Sequence, residues 1–69
     1  MKEFNLNGSE FIPLCDLMKI TDLTGSGAEA KHLIAEGKVK VDGQVELRKR
    51  CKIRSGQEVD FQGEKVKVI

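Results

Sequence analysis

The spacing of apolar residues changes at Gly37, and this change restricts the chain to a mixed fold. Before Gly37, Ala30, Leu33 and Ile34 recur at positions i, i+3 and i+4, which is the spacing of one helix face. After it, residues 38–41 alternate lysine with valine, which is the two-residue period of a half-buried strand. A helix that leads directly into short alternating strands predicts an α+β domain.

End signals place this helix at about residues 26–36. Ser26 and Glu29 form the pattern S-x-x-E, in which two side chains can bind free N–H groups at the start of a helix. Gly37 suits the position just after a helix, where a left-handed backbone is favoured. The helix is therefore predicted from both of its ends as well as from its apolar face.

The flanking segments complete the predicted domain. Leu14, Leu17 and Met18 share one helix face, so a short first helix is predicted there, with Pro13 in its first turn. Residues 2–6 are predicted to form a short edge strand. Three polar–glycine pairs mark breaks between strands: Asp42-Gly43, Ser55-Gly56 and Gln62-Gly63. The expected fold is a single α+β domain over residues 1–69, with two short helices followed by a small antiparallel sheet.

Charge is distributed unevenly along the chain, although the net formal charge is only +1. Residues 1–37 carry three basic and six acidic side chains, whereas residues 38–69 carry nine basic and five acidic ones. Five of the seven residues at positions 48–54 are cations: Arg48, Lys49, Arg50, Lys52 and Arg54. This local charge, rather than the total, determines which partner is attracted.

The cationic segment is predicted to be a strand with one buried face and one charged face. If residues 47–54 are extended, their side chains point alternately to opposite faces. The odd positions would place Leu47, Cys51 and Ile53 in the core, with Lys49 at an edge or a bend. The even positions would align four cations on one face: Arg48, Arg50, Lys52 and Arg54.

Fold stability does not explain a row of like charges. Same-face neighbours on a strand are about 6–7 Å apart, and a Debye length of about 8 Å leaves them only partly screened. A polyanion would relieve the repulsion, and the planar guanidinium group of arginine suits phosphate oxygens. The alternative is a solvated strand edge whose charges prevent aggregation. We favour a nucleic acid, because every even position of the segment is cationic.

The second helix predicts further contacts with an anion. Gly27 and Lys31 lie along one small, cationic flank at 100° per residue, and the free N–H groups near Ser26 and Gly27 form a candidate anion site. Lys38 and Lys40 extend the basic surface along the first strand after the helix. The alternative is that glycine at the helix start merely permits a tight turn.

The aromatic content favours recognition of RNA shape and phosphates over stacking of single strands. The chain has no Trp or Tyr and three Phe residues. Phe11 and Phe61 are predicted to pack in the core, which leaves no platform for bases. No helix carries the Arg, Asn or Gln residues that read bases in the major groove of DNA. The predicted partner is therefore folded or double-stranded RNA.

The sequence offers little for catalysis or metal binding. Cys15 and Cys51 form no CxxC pair and, together with His32, match no zinc spacing, so buried reduced thiols are expected. His32 falls on the solvent side of its helix, and 69 residues leave little room for a shielded pocket. We expect a non-enzyme with no cofactor, metal or small-molecule substrate. No apolar run of transmembrane length and no signal-peptide pattern is present, which predicts a cytoplasmic protein with no membrane partner.

The segment SGAEAKHLIAEGKVKVDG, residues 26–43, resembles the S-four RNA-binding domain. The family pattern is a capped helix containing A-x-x-L-I, a glycine, a Val-x-Val strand and an Asn-Gly or Asp-Gly turn. Its elements correspond here to Ala30, Leu33, Ile34, Gly37, Val39, Val41, Asp42 and Gly43. Two further family patterns correspond to Leu14 with Asp16 and to Gly56 with Val59. The resemblance implies an α+β RNA-binding module.

One branch of the family, the small stand-alone bacterial proteins of the YbcJ type, is similar over nearly the whole chain. The segments LCDLMK, SGAEAK, IAEG, VKVDG and RKRCKI carry this resemblance, which implies a module without a catalytic domain. Many family members have Ser-Arg-Ser at the start of the second helix. Here Gly27 replaces that arginine, and Lys31 alone matches a helix cation of the family. The cationic segment is therefore expected to carry most of the contacts.

Two functional hypotheses follow. The leading one is a non-catalytic protein that recognises structured RNA, either ribosomal RNA or tRNA, with ribosomal particles as a candidate partner. Its predicted contact residues are Ser26, Gly27, Lys31, Lys38, Lys40, Arg48, Lys49, Arg50, Lys52 and Arg54. The alternative is a protein-interaction module that docks an acidic surface, for example as a ribosome-assembly adaptor.

Overall fold

The structure, a computed structural model, describes residues 2–69 and confirms the predicted α+β class. Helix α1 spans Leu14–Ile20 and helix α2 spans Gly27–Ala35, in agreement with both predicted helices. The strands in the described residues are β1 (Lys2–Phe4), β2 (Ile12–Pro13), β3 (Val39–Val41), β4 (Gln44–Val45), β5 (Lys52–Ile53), β6 (Glu58–Phe61) and β7 (Glu64–Val68).

Five strands form one sheet in the order β1-β7-β6-β3-β4. The neighbours β3–β4, β3–β6 and β6–β7 are antiparallel, whereas β1 pairs with β7 in parallel, with Lys2 opposite Val66. The predicted edge strand is therefore confirmed at residues 2–4, but it makes the sheet mixed. Strands β2 and β5 form a separate antiparallel ribbon, with Ile12 opposite Ile53. The sequence does not predict this ribbon, because each of its strands has only two residues.

The core lies between one face of the sheet and the two helices. Val39 and Val41 are buried while Lys40 between them is exposed, as the alternation predicts. The helices and the other strands contribute most of the remaining buried residues, namely Leu14, Cys15, Leu17, Met18, Ala30, Ile34, Ile53, Val59, Phe61, Val66 and Val68. The opposite face of the sheet is charged, with Lys40 and Lys65 on either side of Asp60.

The capping signals of α2 are confirmed, whereas α1 begins differently from the prediction. Ser26 Oγ accepts a hydrogen bond from the Glu29 N–H at 3.1 Å, and Glu29 Oε1 accepts one from the Gly25 N–H at 2.8 Å. Gly37 has φ 77°, the left-handed conformation that ends a helix. Pro13 lies one residue before α1 with an extended backbone and provides no side-chain cap. The first N–H groups of α1 must therefore find acceptors elsewhere.

Both predicted hairpin turns are present as two-residue loops. Asp42 and Gly43 have φ of 52° and 83°, and Gln62 and Gly63 have φ of 53° and 82°. Positive φ at both central residues is characteristic of the type I′ turn, whose twist matches that of the flanking strands. These turns set the register of β3 with β4 and of β6 with β7.

Asp42 also joins the first hairpin to the chain that enters β6, and we expect its loss to destabilise the fold. Its N–H donates to the Glu58 carbonyl at 2.8 Å, its Oδ1 accepts from the Glu58 N–H at 3.0 Å, and its Oδ2 accepts from Gln57 Nε2 at 3.4 Å. Asp42→Ala should lower the free energy of unfolding by about 2–3 kcal/mol, because alanine lacks these acceptors and is disfavoured at positive φ. Asp42→Asn should lose less than about 1 kcal/mol, since asparagine tolerates the same backbone. Urea unfolding measures both values, and equal losses would contradict the assigned role.

Candidate nucleic-acid interface

The cationic segment folds as a turn followed by a short strand, so the predicted strand over residues 47–54 is wrong. Only Lys52 and Ile53 are extended, as β5. The N–H of Cys51 donates to the Arg48 carbonyl at 3.2 Å and closes a turn. We refer to residues 48–52 as the cationic loop. Its charges project from a turn and not from one face of a strand.

The start of helix α1 explains why the segment leaves the sheet. The N–H of Leu14 donates to the Cys51 carbonyl at 2.9 Å, and the N–H of Cys15 donates to the Lys49 carbonyl at 3.2 Å. The first N–H groups of a helix have no partner within the helix itself. The carbonyls of the cationic loop supply the acceptors that Pro13 cannot provide. The helix start thereby fixes the backbone of the loop.

The predicted burial of the segment is only partly correct. Ile53 is completely buried and Cys51 is half-buried, whereas Leu47 is 60% exposed. Leu47 lies beside Val45 near the end of α2. A Cβ placed on Gly37 would lie 3.8 Å from Leu47 Cδ2 and 3.7 Å from Val45 Cγ1. Leu47 and Val45 therefore form an exposed apolar pair that leads into the cationic loop.

Two of the five predicted cations already have carboxylate partners. Arg48 contacts Glu46 through its Nε at 2.9 Å and its Nη2 at 3.0 Å. Arg54 Nη1 lies 3.5 Å from Glu10 Oε1. The charge of these two arginines is thus partly compensated within the protein.

The other three cations carry the uncompensated charge of the loop. Lys49, Arg50 and Lys52 are exposed, and none forms an ion pair with any residue in positions 2–69. Because they lie within four residues of one another, their repulsion is only partly screened at physiological salt. An external anion would relieve this repulsion, so these three residues form the centre of the candidate interface.

Phe11 lies against this basic surface, and the prediction that it packs in the core is wrong. Its ring centroid is 5.0 Å from Lys52 Nζ and 5.7 Å from Arg54 Cζ, and the residue is only half-buried. The β2–β5 ribbon directs Ile12 towards the core, so the preceding residue faces outward. Phe61, in contrast, is buried as predicted.

The cations predicted outside the loop lie in different surroundings. Lys31 is exposed on α2 and forms no ion pair within the described residues. Lys38 Nζ lies 3.4 Å from Glu36 Oε1. Lys40 projects from the sheet face that points away from the helices. Lys31 therefore lies on the helix that packs against α1, whereas Lys40 points away from both helices.

The start of α2 is open, but an acidic side chain already occupies part of it. The backbone at Gly25 and Gly27 does not have positive φ, and a Cβ on Gly27 would meet no atom within 4 Å. The alternative that Gly27 only permits a tight turn is therefore not supported. Ser26 serves as the N-cap, and the Glu29 carboxylate accepts from Gly25. An anion at this position would have to share the helix start with that carboxylate.

The Glu46–Arg48 pair shifts the pKa values of both of its members. Hydrogen bonds from the Arg48 side chain and backbone lower the pKa of Glu46 from its ordinary value of 4.5 to about 2, and the same pair raises the pKa of Arg48. Burial, followed by the nearby Glu46 carboxylate, raises the pKa of the Cys51 thiol. The thiol therefore stays protonated at neutral pH, which argues against a nucleophilic role.

We expect the Glu46–Arg48 pair to weaken in acid. The pKa of Glu46 in the folded state is lower than its ordinary value, so its contribution to stability is complete above about pH 4.5 and is lost as the pH falls towards 2. Urea unfolding at pH 6 and pH 3 should show a smaller pH effect on stability for Glu46→Gln than for the unchanged chain. An identical pH effect in both proteins would show that the pair does not stabilise the fold.

The cysteines and the histidine lie on separate elements. Cys15 is buried in α1, as expected for a reduced thiol, while Cys51 is free but only half-buried. His32 is exposed on α2 as predicted, with Nε2 3.1 Å from Glu36 Oε2. Residues 2–69 contain no group of three His, Cys, Asp or Glu side chains that could hold a metal ion. Neither of the two described helices has the length and apolar character needed to cross a bilayer.

Comparison with known proteins agrees with this architecture. The family model of the S4 domain matches residues 4–69. The "Putative RNA-binding protein YbcJ" of Escherichia coli (strain K12) is 54% identical over 69 residues, which cover 100% of this chain and 99% of that protein. The solution structure of YbcJ from E. coli, described as revealing an ALFAL motif involved in RNA binding, matches with a TM-score of 0.78. It covers 100% of this chain and 87% of the YbcJ chain at 54% identity.

The similarity to an enzyme covers a smaller region. An uncharacterized RNA pseudouridine synthase of Aquifex aeolicus (strain VF5) is 45% identical over 42 residues, which are 61% of this chain and 18% of the synthase. Most of the synthase therefore has no counterpart here. The family model and the full-length similarity to YbcJ, in contrast, extend over nearly every described residue. The chain belongs to the S4 domain family.

Proposed function

We propose that the protein is a non-catalytic RNA-binding protein that recognises structured RNA, such as ribosomal RNA or tRNA, in the cytoplasm. One observation carries the proposal: Lys49, Arg50 and Lys52 are exposed on a fixed loop and have no carboxylate partner within residues 2–69. Membership of the S4 domain family and the similarity to YbcJ, which carries an RNA-binding name, support it.

Phosphate oxygens are the proposed ligands of the cationic loop. The guanidinium group of Arg50 can bind two phosphate oxygens at once, while Lys49 and Lys52 act as mobile point charges. Hydrogen bonds from α1 to the carbonyls of Lys49 and Cys51 hold the loop backbone before the RNA arrives. Binding therefore does not have to order this backbone, which lowers the entropic cost of the complex.

Three of the remaining predicted cations, Lys31, Arg48 and Arg54, have supporting roles in this proposal, whereas Lys40 points away from the helices and is not included. Lys31 on α2 supplies a fourth contact, because it is exposed and unpaired within the described chain. Arg48 and Arg54 would have to exchange a carboxylate for a phosphate. Such exchange is feasible for Arg54, because its pair with Glu10 is exposed and exposed ion pairs contribute only about 0–1 kcal/mol, whereas Arg48 is held more firmly by its two contacts with Glu46.

The experiment compares three polyanions. Fluorescence anisotropy should give tight binding to an RNA hairpin with a paired stem, weaker binding to a DNA duplex of equal length, and weaker binding still to polyglutamate. The order is expected because A-form RNA has a distinct groove shape and spacing of phosphates. Ribosomal particles captured from a lysate should be released by ribonuclease.

The same experiment tests the alternative hypothesis of a protein-interaction module. The exposed pair Val45 and Leu47 beside the cationic loop would suit an acidic protein surface with an apolar centre. Polyglutamate binding as tight as RNA binding, together with a captured protein that survives ribonuclease, would favour that alternative and contradict our proposal.

Introducing an arginine at Gly27 should increase RNA affinity. A Cβ at this position meets no atom within 4 Å, so the side chain has room. One additional phosphate contact should raise affinity about threefold to fivefold and steepen the dependence of log K on log salt by about 1. Gly27→Gln is the matched control, because it adds a side chain without charge. Equal affinities of Gly27→Arg and Gly27→Gln would place the RNA away from the start of α2.

A further inference from the structure

The outer face of the β2–β5 ribbon combines an aromatic ring with two cations. Ile12 pairs with Ile53 and both are buried, so Pro13 and its partner Lys52 lie on the opposite, outer face. Extending this register by one pair brings Phe11 opposite Arg54, in agreement with the 5.7 Å between the Phe11 ring centroid and Arg54 Cζ. Phe11, Lys52 and Arg54 are thus neighbours on one surface.

Phe11 is not explained by core packing. The core is closed by Ile12 and Ile53 on the inner face of the ribbon, and the hydrophobic cluster does not include Phe11. The ring remains partly exposed, and two cations carried on long, flexible stems lie over it. Lys52 Nζ lies 5.0 Å from the ring centroid without an ion pair in the described chain. When these cations turn from the ring to an anion, the ring face becomes available to a ligand that has both an aromatic and an anionic part.

A nucleotide has these two parts in one molecule. Its base stacks on an aromatic ring whatever its sequence, and its phosphate pairs with a neighbouring lysine or arginine. A paired stem cannot offer a base face to Phe11, because its bases are stacked on one another. The cationic loop, which contains Lys52, would bind phosphates of the stem, so a base held on Phe11 must be unpaired and close to that stem.

We propose that Phe11, flanked by Lys52 and Arg54, is a stacking site for one unpaired nucleotide that adjoins the paired RNA bound by the cationic loop. This inference rests on the proposed function and adds a class of target to it: stems with a bulge, loop or overhang. It also replaces the expectation that the protein has no stacking platform. Arg54 turns from Glu10 to the phosphate of the stacked nucleotide, and Lys52 moves aside from the ring face to the adjacent phosphate.

The test uses two RNAs of equal length and charge, one fully paired and one with a single-nucleotide bulge. Phe11→Leu keeps an apolar side chain but removes the aromatic face. It should weaken binding to the bulged RNA by about 5- to 100-fold and change binding to the paired RNA by less than about twofold. Thermal unfolding of the variant shows whether the fold is retained.

A second variant keeps the test decisive if Phe11→Leu is unstable. The chain contains no tryptophan, so Phe11→Trp introduces a single fluorophore at the proposed site. Its fluorescence should be quenched by the bulged RNA and remain nearly unchanged with the paired RNA. Absence of quenching at saturating bulged RNA would overturn the proposal.

The outcomes separate this inference from the proposed function. If the unchanged protein binds neither RNA, the proposed function fails and the stacking site fails with it. If it binds both RNAs and Phe11→Leu binds them as tightly, the phosphate site stands and the stacking site is wrong. If a folded Phe11→Leu protein binds both RNAs more weakly by the same factor, stacking is also rejected. The ring would then contribute only to the shape of the surface.

Discussion

Replacing Lys49, Arg50 and Lys52 together by glutamine should reduce the affinity for structured RNA about 100-fold while the fold remains intact. The three side chains are exposed and form no ion pair within residues 2–69, and the contact of Lys52 with the Phe11 ring lies at the surface, so the fold should tolerate their removal. Each lost phosphate contact is taken as about 1 kcal/mol, and about 3 kcal/mol corresponds to roughly a 100-fold change in the dissociation constant. Anisotropy with the paired RNA hairpin measures the change, and thermal unfolding verifies the fold.

A matched control distinguishes a local site from the effect of total charge. Lys40, Lys65 and Lys67 lie on the sheet face that points away from the helices, because each alternates with buried valines on its strand. Changing these three residues to glutamine alters the net charge by the same amount as the change in the loop. This control should lose less than about threefold in affinity. Similar losses in both triple variants would mean that the protein binds RNA through its total charge and not through the cationic loop.

Shortening Ile53 to alanine should have the largest effect on stability. Ile53 is completely buried and is paired with Ile12 in the ribbon that follows the cationic loop. Removing its buried methyl and methylene groups should cost about 3 kcal/mol, out of roughly 4–10 kcal/mol for a domain of this size. Urea unfolding at pH 7 measures the loss.

The conservative variant Ile53→Val tests whether the loss of stability depends on how much buried side-chain volume is removed. It should lose only about 0.5–1.5 kcal/mol and should bind RNA like the unchanged protein. Ile53→Ala should bind RNA weakly at temperatures at which it is partly unfolded and normally at temperatures at which it is folded. A loss below 1 kcal/mol for Ile53→Ala would show that the ribbon does not anchor the cationic loop to the core.

Local signals predicted the helices and hairpins correctly because each of these elements is specified by neighbouring residues. Ser26, Glu29 and Gly37 define α2 through its own caps. Asp-Gly and Gln-Gly supply the positive φ that type I′ turns require. The parallel pairing of β1 with β7 is different, since it joins the two ends of the chain and no local pattern specifies it.

The cationic segment was predicted incorrectly, because its backbone conformation is determined by a distant part of the chain and not by neighbouring residues. Its alternation of apolar and charged residues is typical of a strand, but the backbone carbonyls of Lys49 and Cys51 bind the start of α1 instead. This interaction joins residues more than thirty positions apart, so no local pattern specifies it. The density of positive charge depends on composition and not on backbone shape, so it still locates the exposed cations on which the proposed function rests.

The prediction that Phe11 packs in the core was wrong, because the register of the two-residue ribbon determines which residue faces inward. Phe11 and Ile12 are both apolar neighbours of α1, and composition cannot decide which of them points inward. The pairing of Ile12 with Ile53 turns Phe11 to the basic surface. The sequence does contain one relevant signal, because Lys52 and Arg54 are two residues apart. If residues 11–13 are assumed to pair with residues 52–54, these cations are placed beside the Phe11 ring.

The dependence of RNA binding on salt tests the cationic loop most directly. With Lys49, Arg50, Lys52 and Lys31 on about four phosphates, log K should fall with log salt with a slope near −3. The triple glutamine variant of the loop keeps only the Lys31 contact, so its slope should fall to about a quarter of this value, close to −1, because each phosphate contact contributes about 0.7–0.9 to the slope. A slope near zero for the unchanged protein, or equal slopes for the two proteins, would contradict phosphate binding by the loop.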